Sequence, residues 1–295
     1  TYQVRFTTSE GALAGFAAAT VRVDTTRPVT TVLSWPEKYY PVKDGYLDSG
    51  VITFRTSERA SFTLTVRNSA GKVVRRTTAV KNPGNAVTMS WDGKTSSGAA
   101  APSGAYTFRI VTADPVGLTA TSGWRTISLS RKKLVTKTVT VTRKGTAAYG
   151  VGNGRACATA TDIGSSFTGG LWIKNNCAKN LDAPFPAFAV WKVTVPAAVS
   201  YSSFTVSTKG RSHSQPAVVG AGVFSTMTNY YEMPYPLRKV TTNATGTITV
   251  GKVGGPGHAP GRKADVMLYV LNVNTPLNDW DVATLRLTVT YRTLA

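Results

Sequence analysis

The segment that most constrains the fold of this chain covers residues 91–110. It reads as the end of one alternating strand, a polar loop that contains Gly93 and Gly98, a turn at 102–104, and a second alternating strand from Ala105 onward. Glycine, proline and serine at such positions are typical of the turns that join antiparallel strands. The segment offers no catalytic group. It therefore predicts a β-sandwich used for spacing, display or binding.

The composition extends this prediction to the whole chain. Only 16% of the 295 residues are charged, well below the roughly 25% of an average soluble domain, and threonine, valine, serine, glycine and alanine take their place. Threonine and valine favour strands, while 27 glycines and 15 prolines provide turns. No window has a clear helical period of apolar residues. We expect an all-β chain long enough for two or three domains.

The net charge of +20 is spread along the chain. Residues 1–131 carry 16 basic and 8 acidic side chains, and residues 132–295 carry 18 and 6. The chain has no zinc-finger spacing, RNA-recognition signature or basic helix, so we expect no specific nucleic-acid ligand. A diffuse positive field suits an anionic cell-wall polymer, an acidic polysaccharide or extracellular DNA. The alternative is a charge that only keeps the protein soluble.

Two cysteines, Cys157 and Cys177, are predicted to form a disulfide. No further cysteine or histidine cluster completes a zinc site, and the spacing is not that of a redox pair. A disulfide places the protein outside a reducing cytosol; the alternative is two buried thiols. No signal peptide opens the sequence, and no apolar run approaches the ~20 residues that span a membrane. We expect a secreted or cell-surface protein, without membrane insertion, whose sequence is a mature or trimmed fragment.

Residues 1–27 are expected to be the terminal hairpin of a preceding β-sandwich plus a linker. Two strands cannot bury a core by themselves. The hairpin therefore predicts either further domains in a longer parent chain or donation of the hairpin to a neighbouring molecule, that is, self-association.

Residues 28–131 are predicted to form one complete sandwich. Seven short strands separated by turn signals are the pattern expected of an Ig-like sandwich, and the turns are placed at 68–71 and 114–117. The predicted strands are 29–35, 51–57, 61–67, 72–79, 86–91, 105–113 and 119–129. The predicted core consists of Leu33, Ile52, Phe54, Phe62, Leu64, Val66, Val87, Trp91, Tyr106, Phe108 and Ile110.

A resemblance supports this assignment. The hairpin sequence at 66–75, the Trp-Asp-Gly at 91–93, Gly98 and the Pro-Ser-Gly-Ala-Tyr at 102–106 occur together and in order. Over roughly residues 60–115 this resembles the Ig-like module first described in bacterial flagellar hook-capping proteins. The resemblance implies architecture, because such modules recur as linking or C-terminal units in secreted bacterial proteins, and it does not imply hook capping. The linker at 24–28 is similar to joints between tandem Ig-like repeats of secreted actinobacterial proteins.

Residues 132–295 are predicted to form a larger C-terminal antiparallel β-sandwich, with a jelly roll as one option. Apolar residues alternate with Thr, Ser or Lys, which is typical of a sheet with one solvated face. Loops at 150–154 and 251–263 are long enough to carry function or to be disordered. The predicted strands are 134–142, 170–174, 185–195, 201–208, 217–224, 239–250, 265–273 and 283–293.

A catalytic site is not expected. The only histidines are His213 and His258, and neither a Gly-x-Ser-x-Gly nor a His-Glu-x-x-His motif occurs. A glycosidase would have to pair Glu232 with Asp279 across a cleft. Because the C-terminal unit has so few titratable groups, we expect no catalytic residue and no cofactor.

A metal site is not expected either. The stretch 278–281 offers two carboxylates and an amide, which are oxygen ligands that calcium prefers. It lacks a full loop of ligands, and a turn that caps the last strand explains these residues more simply.

The best candidate for a binding site is a tyrosine-rich segment followed by basic residues. Tyrosine rings beside cations can stack on sugars and pair with anions; the alternative is a proline-stiffened loop that covers the edge of the sandwich. Trp172, Trp191 and Trp280 are expected in the core. The predicted ligand contacts are Tyr230, Tyr231, Tyr235, Arg238, Lys239, Arg262 and Lys263.

These features predict a non-catalytic bacterial surface or wall-associated protein. In this interpretation an Ig-like spacer carries a C-terminal binding or adhesion module for an anionic polymer. Two alternatives stay open at this stage. The chain could be the C-terminal accessory region of a secreted hydrolase or protease, or the subunit of an extracellular filament.

Overall fold

The structure is a computed structural model, and it divides into two compact units, Thr1–Lys133 and Leu134–Ala295. Nearly all of its regular structure is β-strand. No helix in the described part of the chain is long and apolar enough to cross a membrane. The structure describes residues 2–10, 13–21, 23–152, 158–163, 170–175, 187–212, 217–232, 238–240, 245–253, 257–271 and 278–295.

The first unit begins with a hairpin of two antiparallel strands, β1 (Tyr2–Glu10) and β2 (Leu13–Val21). Among the described residues these strands pair only with each other. Tyr2 and Phe6 project from one face of β1 and are each 65% exposed. The hairpin thus presents apolar side chains to solvent, and its role as part of another sandwich stays a prediction.

A β-sandwich follows the hairpin, and we call it the middle sandwich. One sheet has the order β3-β5-β8, and the other has the order β4-β11-β9-β6-β7, with β10 added to β9. All pairings are antiparallel except that of β4 with β11. The strands are β3 (Thr30–Ser34), β4 (Lys38–Tyr39), β5 (Gly50–Thr56), β6 (Ala60–Asn68), β7 (Val73–Lys81), β8 (Gly84–Trp91), β9 (Gly104–Ala113), β10 (Thr119–Thr121) and β11 (Arg125–Leu129).

The predicted turns of the middle sandwich are confirmed. Gly71 and Gly117 have φ values of 77° and 92°, which favour glycine, and their amides close the turns onto Asn68 and Asp114. The predicted strand 119–129 is interrupted, since β10 ends at Thr121 and β11 begins at Arg125. The core contains Ile52, Phe54, Phe62, Leu64, Val66, Trp91, Tyr106, Phe108 and Ile110, as predicted, with Tyr39, Met89, Ile127 and Leu129 in addition.

The prediction that Leu33 belongs to this core is wrong, because its side chain is 49% exposed. The pairing of β3 with β5 shifts register between Val32 and Ser34. Leu33 is the extra residue of this bulge, and a bulge reverses the inward and outward alternation of a strand. Val32 packs against the core instead. Val87, which lies on the edge strand β8, also packs against it.

Trp91 organises the end of the middle sandwich. Its ring is packed edge-on against Tyr39 and Tyr106, at centroid distances of 5.8 and 4.8 Å, and its indole N–H donates to the carbonyl of Lys94 at 2.7 Å. Gly93 has a φ of +70°, and a Cβ there would lie 2.7 Å from Cγ of Pro41. The Trp-Asp-Gly sequence therefore combines a large core residue with a turn that only glycine fits.

The described residues of the second unit form twelve strands and two short 3₁₀ helices, Gly145–Ala147 and Pro260–Arg262. The strands are β12 (Leu134–Lys144), β13 (Gly150–Gly152), β14 (Ala158–Ile163), β15 (Gly170–Asn175), β16 (Ala187–Thr194), β17 (Ser200–Arg211), β18 (Ala217–Ser225), β19 (Tyr230–Glu232), β20 (Arg238–Val240), β21 (Thr245–Val253), β22 (Lys263–Leu271) and β23 (Asn278–Leu294).

These strands form the two sheets of a jelly roll. One sheet has the order β14-β15-β23-β17-β21, and the other has the order β13-β16-β22-β18-β19. From β15 to β23 the chain crosses to the opposite sheet at each connection, except between β18 and its neighbours β19 and β20. This strand order is that of two nested Greek keys. β12 extends the first sheet by pairing with β23 beyond β15.

The jelly-roll core lies between the two sheets. Trp191 and Trp280 are buried there, as predicted. Trp172 differs, because β15 buries Leu171 and Ile173 and turns the alternate side chains, including Trp172, to its other face. The prediction that Trp172 is a core residue is therefore wrong.

Candidate functional site

The predicted tyrosine-rich segment begins on β19, at the edge of the second jelly-roll sheet. Successive side chains of a strand point to opposite sides, so Tyr230 and Tyr231 do not share one surface. The side chain of Tyr230 is 75% exposed. Tyr231 is half-buried and packs edge-on against Phe224 of β18, with ring centroids 5.5 Å apart. Tyr235 lies outside the described residues.

The predicted basic residues are spread around this sheet. Arg238 and Lys239 begin β20, which pairs with β18 at Val219 and Val218, whereas Tyr231 pairs at Phe224. Five residues along β18 correspond to ~17 Å. The described backbone therefore does not gather the tyrosines and these two basic residues at one point.

Arg262 and Lys263 lie where the second 3₁₀ helix leads into β22. The guanidinium Nε of Arg262 donates to the carbonyl of Val195 at 3.2 Å, which ties this loop to the chain after β16. Lys263 is exposed and pairs with Thr194. Whether these residues contact a ligand stays a prediction.

The outer face of this sheet instead assembles a network around Tyr149. The hydroxyl of Tyr149 lies close enough to the Asp265 carboxylate and to the hydroxyl of Tyr231 for both groups to shift its pKa. Lys192 Nζ lies 3.9 Å from Oδ1 of Asp265 and 4.8 Å from the centroid of the Tyr149 ring. Tyr149 is 56% exposed, so its ring is the part of the network that a ligand can reach.

The environment of this network favours neutral tyrosines. Burial, followed by the neighbouring Tyr149 and Asp265, raises the pKa of Tyr231 to about 12. Burial, followed by the charge of Asp265, raises the pKa of Tyr149. Each hydroxyl therefore stays protonated at neutral pH and acts as a hydrogen-bond donor.

The carboxylates considered for glycosidase chemistry do not face each other. Glu232 lies on β19, where its Oε2 is 2.8 Å from Nε2 of the buried His258. Asp279 lies on β23 in the opposite sheet, and it accepts hydrogen bonds from the indole of Trp172 at 2.8 Å and from the hydroxyl of Ser212 at 3.1 Å. His213 lies outside the described residues.

The stretch 278–281 is the start of β23 and not a turn, which corrects the sequence interpretation. Asp279 and Asp281 are fully buried. Each oxygen of Asp279 accepts one of the bonds from Trp172 and Ser212, so its carboxylate is engaged in hydrogen bonds within the fold. Cys157 and Cys177 lie outside the described residues, and their disulfide stays a prediction.

A more concentrated cationic site lies on the outer face of the middle sandwich. The guanidinium carbons of Arg67 and Arg109 lie 4.3 and 4.8 Å from the ring centroid of Trp124. The three side chains form what we call the Arg–Trp cleft. A cavity of about 380 Å³ opens beside Arg67 and Trp124, and it is also lined by polar residues, among them Asn68, Ser69, Thr107 and Thr126.

Strand pairing explains how these residues meet. Arg67 is opposite Thr107, and Arg109 is opposite Thr65, so the two arginines are diagonal neighbours across β6 and β9. Trp124 fills the gap between β10 and β11, the point at which the predicted strand is interrupted. The cation–π contacts fix both guanidinium planes and leave edge N–H groups as donors for an anion.

The sheet that carries the Arg–Trp cleft has a uniform charge. Its strands contain no aspartate or glutamate. A face without carboxylates lets an incoming anion bind without competition from neighbouring acids. The basic residues of this sheet are Lys38, Arg67, Arg75, Arg76, Lys81, Arg109 and Arg125.

This cleft is absent from the predictions made from the sequence, in which the module is a spacer. Arg67, Arg109 and Trp124 are distant along the chain and come together only through the pairing of β6, β9 and β11. One signal could have revealed them, namely the absence of acids from every strand predicted for this sheet.

The family model of the FlgD Ig-like domain matches residues 43–115. The middle sandwich is an Ig-like domain of this type. The match confirms the resemblance drawn from residues 60–115 and extends it to include β5. The Arg–Trp cleft thus lies on an Ig-like domain, with Arg67 and Arg109 inside the matched range and Trp124 just after it.

No curated protein matches the chain. Among solved structures, it is similar to dimeric latent PorU from Porphyromonas gingivalis, with 17% identity, 43% of this chain and 12% of that chain covered, and a TM-score of 0.30. It is also similar to a carbohydrate-binding module from the β-sandwich superfamily, with 10% identity, 92% and 100% covered, and a TM-score of 0.24. A third similar structure is that of the infectious bursal disease virus Gx strain, with 10% identity, 98% of this chain and 71% of that chain covered, and a TM-score of 0.27. At such low TM-scores we base no conclusion on these likenesses.

Proposed function

We propose that this chain is a non-catalytic protein of the cell exterior that binds an anionic polymer, either an acidic polysaccharide or a cell-wall polymer. An Ig-like domain joined to a jelly roll is an architecture compatible with a binding or accessory module. The observation that carries the proposal is the pair of guanidinium groups held on Trp124, in a sheet whose strands contain no aspartate or glutamate.

The chemistry of the cleft favours a glycan over a single-stranded nucleic acid. Nucleic-acid binders of that kind stack bases on open aromatic rings. Here two guanidinium groups lie against the ring of Trp124 and restrict its use for stacking. The hydroxyl and amide groups of Asn68, Ser69 and Thr107 suit the hydroxyl groups of a sugar, while the arginines suit its carboxylate or sulfate.

The jelly roll contributes further contacts in this proposal. Tyr230 and Lys263 are exposed, and the ring of Tyr149 is accessible on the outer face of the second sheet. Tyr230 and Lys263 belong to the aromatic and basic set predicted from the sequence, together with Tyr231, Tyr235, Arg238, Lys239 and Arg262. Tyr149 is an addition from the structure. The +12 balance of residues 132–295 attracts the same class of ligand.

Titration calorimetry of the full chain tests the proposal with dextran sulfate, polygalacturonate and neutral dextran. We expect binding to an anionic glycan that weakens with salt, and none to neutral dextran. Replacing both arginines, in the variant Arg67→Gln with Arg109→Gln, should weaken binding at least about tenfold, because each charge-assisted hydrogen bond contributes ~1.5–3 kcal/mol.

For the single variants Arg67→Gln and Arg109→Gln, a matched control is Arg55→Gln, which removes one positive charge from an exposed position on β5, in the opposite sheet. It should change affinity far less than the cleft variants. An equal loss of affinity in the control would mean that binding depends only on the net charge of the protein. An affinity that does not change with salt concentration would contradict the electrostatic mechanism. Parallel variants Tyr230→Ala and Lys263→Gln measure the contribution of the jelly roll.

A filament subunit is a second candidate, favoured by the exposed apolar face of the N-terminal hairpin. Tyr2, Val4 and Phe6 are solvent-exposed on one side of β1, and strand edges of this kind can complete the sheet of another copy. Negative-stain images and sedimentation of the purified chain test this candidate. Fibres that disappear in Phe6→Ser would support it, and a monomer at all concentrations would exclude it.

A further inference from the structure

Three carboxylates from distant parts of the sequence converge at one end of the Ig-like domain. Asp24 belongs to the linker after β2, Glu58 to the turn between β5 and β6, and Asp114 to the turn between β9 and β10. One oxygen from each lies within 4.8 Å of the others. The chain has only 14 acidic residues against 34 basic ones. Its composition therefore does not account for three carboxylates at one place.

The backbone holds these three segments together. β6 starts where β9 ends, since Ser61 pairs with Ala113. The linker is fastened to the same end, because Val29 N–H donates to the hydroxyl of Ser57 at 2.9 Å and Ser57 N–H donates to the carbonyl of Val29 at 3.1 Å. The carboxylates therefore meet at fixed positions.

Asp114 provides a second indication that this cluster binds a ligand. Its Oδ1 accepts hydrogen bonds from the amides of Val116 and Leu118, at 3.0 and 2.8 Å. Its Oδ2 is buried and has no hydrogen-bond partner within the described residues, although the residue is only 6% exposed. A buried carboxylate oxygen without a partner is costly, and such atoms are normally satisfied by a protein group, water or an ion.

No cationic side chain compensates the cluster. In the described chain none of the three carboxylates takes part in an ion pair. Arg59 lines the same shallow groove as Asp114, yet no ion pair joins them. Three close carboxylates repel one another, and a bound cation removes that repulsion.

We propose that Asp24, Glu58 and Asp114 bind one Ca²⁺ and thereby fasten the linker to the Ig-like domain. All three ligands are hard carboxylate oxygens, which suit calcium, and the cluster has no histidine or cysteine for a softer metal. Turn carbonyls and waters can complete the six to eight oxygens that calcium takes. This site does not depend on polymer binding and uses none of the residues of the Arg–Trp cleft.

Calorimetric titration of Ca²⁺ into the full chain, after treatment with a chelator, tests the site. We expect one ion per chain with a dissociation constant of about 1 mM or tighter, as in extracellular modules, and weaker binding of Mg²⁺. Calcium should also raise the melting temperature of the first unit, because it binds the folded state only.

Asp24→Asn and Glu58→Gln keep side-chain shape and leave the turn-forming role of Asp114 intact. Each should lower calcium affinity at least about tenfold, since affinity follows the number of charged ligands. Glu37→Gln, at an exposed position outside the cluster, is the matched control and should bind as the unchanged chain does. Absent calcium binding, equal binding of Mg²⁺, or full affinity in both cluster variants would overturn the proposal.

Discussion

The hydroxyl of Tyr106 donates a hydrogen bond of 2.7 Å to the carbonyl oxygen of Pro102. A tyrosine at the start of this strand that bonds back to the preceding corner is a hallmark of Ig-like sandwiches. The same ring packs edge-on against Trp91. The bond thus fixes the corner that leads into β9, at the edge of the core.

Tyr106→Phe should remove this bond while it retains the ring. Because the hydroxyl is buried, we expect the free energy of unfolding of the first unit to fall by ~1 kcal/mol. Urea denaturation measures it, and Tyr2→Phe, at an exposed position in the same unit, provides the control. A loss no greater than that of the control would mean that the corner does not depend on this bond.

Gly93→Ala and Gly98→Ala form a matched pair. Both glycines have positive φ, +70° and +84°, so each substitution carries the left-handed cost of ~1–2 kcal/mol. A Cβ at Gly93 would also contact Pro41 and Leu129 at 2.7 and 3.0 Å, whereas nothing lies near Gly98. We expect Gly93→Ala to be clearly the more destabilising in thermal unfolding, and equal effects would contradict the packing described for this turn.

Trp172→Phe should destabilise the jelly roll by ~1–3 kcal/mol, because it leaves Oδ2 of the buried Asp279 without its indole donor. Trp35→Phe is the comparison, since that indole donates to the carbonyl of Thr126, an exposed residue, where water can replace it. Chemical denaturation of both variants measures the difference. Similar losses of unfolding free energy in the two variants would show that the smaller ring, and not the lost contact with the Asp279 carboxylate, causes the destabilisation.

Alkaline pH should weaken the jelly roll through Tyr231. Its pKa is raised from 10.0 to about 12, first by burial and then by Tyr149 and Asp265. The unfolded chain loses this proton first, so the stabilisation is complete below pH 10 and is lost as the pH rises toward 12. Tyr231→Phe should therefore reduce the fall in unfolding free energy over this range.

A spectroscopic titration of tyrosinate isolates the cause. Tyr149→Phe removes a hydroxyl that contributes to the raised pKa of Tyr231, and we expect that pKa to move down toward its ordinary value. An unchanged titration would mean that Tyr149 plays no part in the network.

Much of the fold could be predicted because alternation and turn residues are local signals. Gly71 and Gly117 close their hairpins as expected, and most of the long strands lie within a few residues of their predicted bounds. The predicted strand 239–250 corresponds to β20 and β21, and β23 begins at Asn278 and not at 283. Leu33 could not be placed, because a bulge depends on the register of two strands and leaves no mark in one of them. The short edge strands β13 and β19 have too few residues for alternation to be recognised.

The sites were harder to predict for a physical reason. Arg67, Arg109 and Trp124 become neighbours through β6, β9 and β11, and Asp24, Glu58 and Asp114 through two turns and a linker. Motif spacing detects ligands that are close in sequence, so it selected 278–281, where the carboxylates are buried in a strand. The expectation of no metal site rested on that local search.

The position of β23 in its sheet has a consequence for folding during synthesis on the ribosome. This strand lies between β17 on one side and β12 and β15 on the other, and its pairing joins Leu134 to Leu294. The first jelly-roll sheet therefore lacks its middle strand until residues 278–294 have emerged, whereas the strands of the Ig-like domain are complete at residue 129. We therefore expect the sheets of the Ig-like domain to be completed while the first jelly-roll sheet is still open, and residues 278–294 to close that sheet.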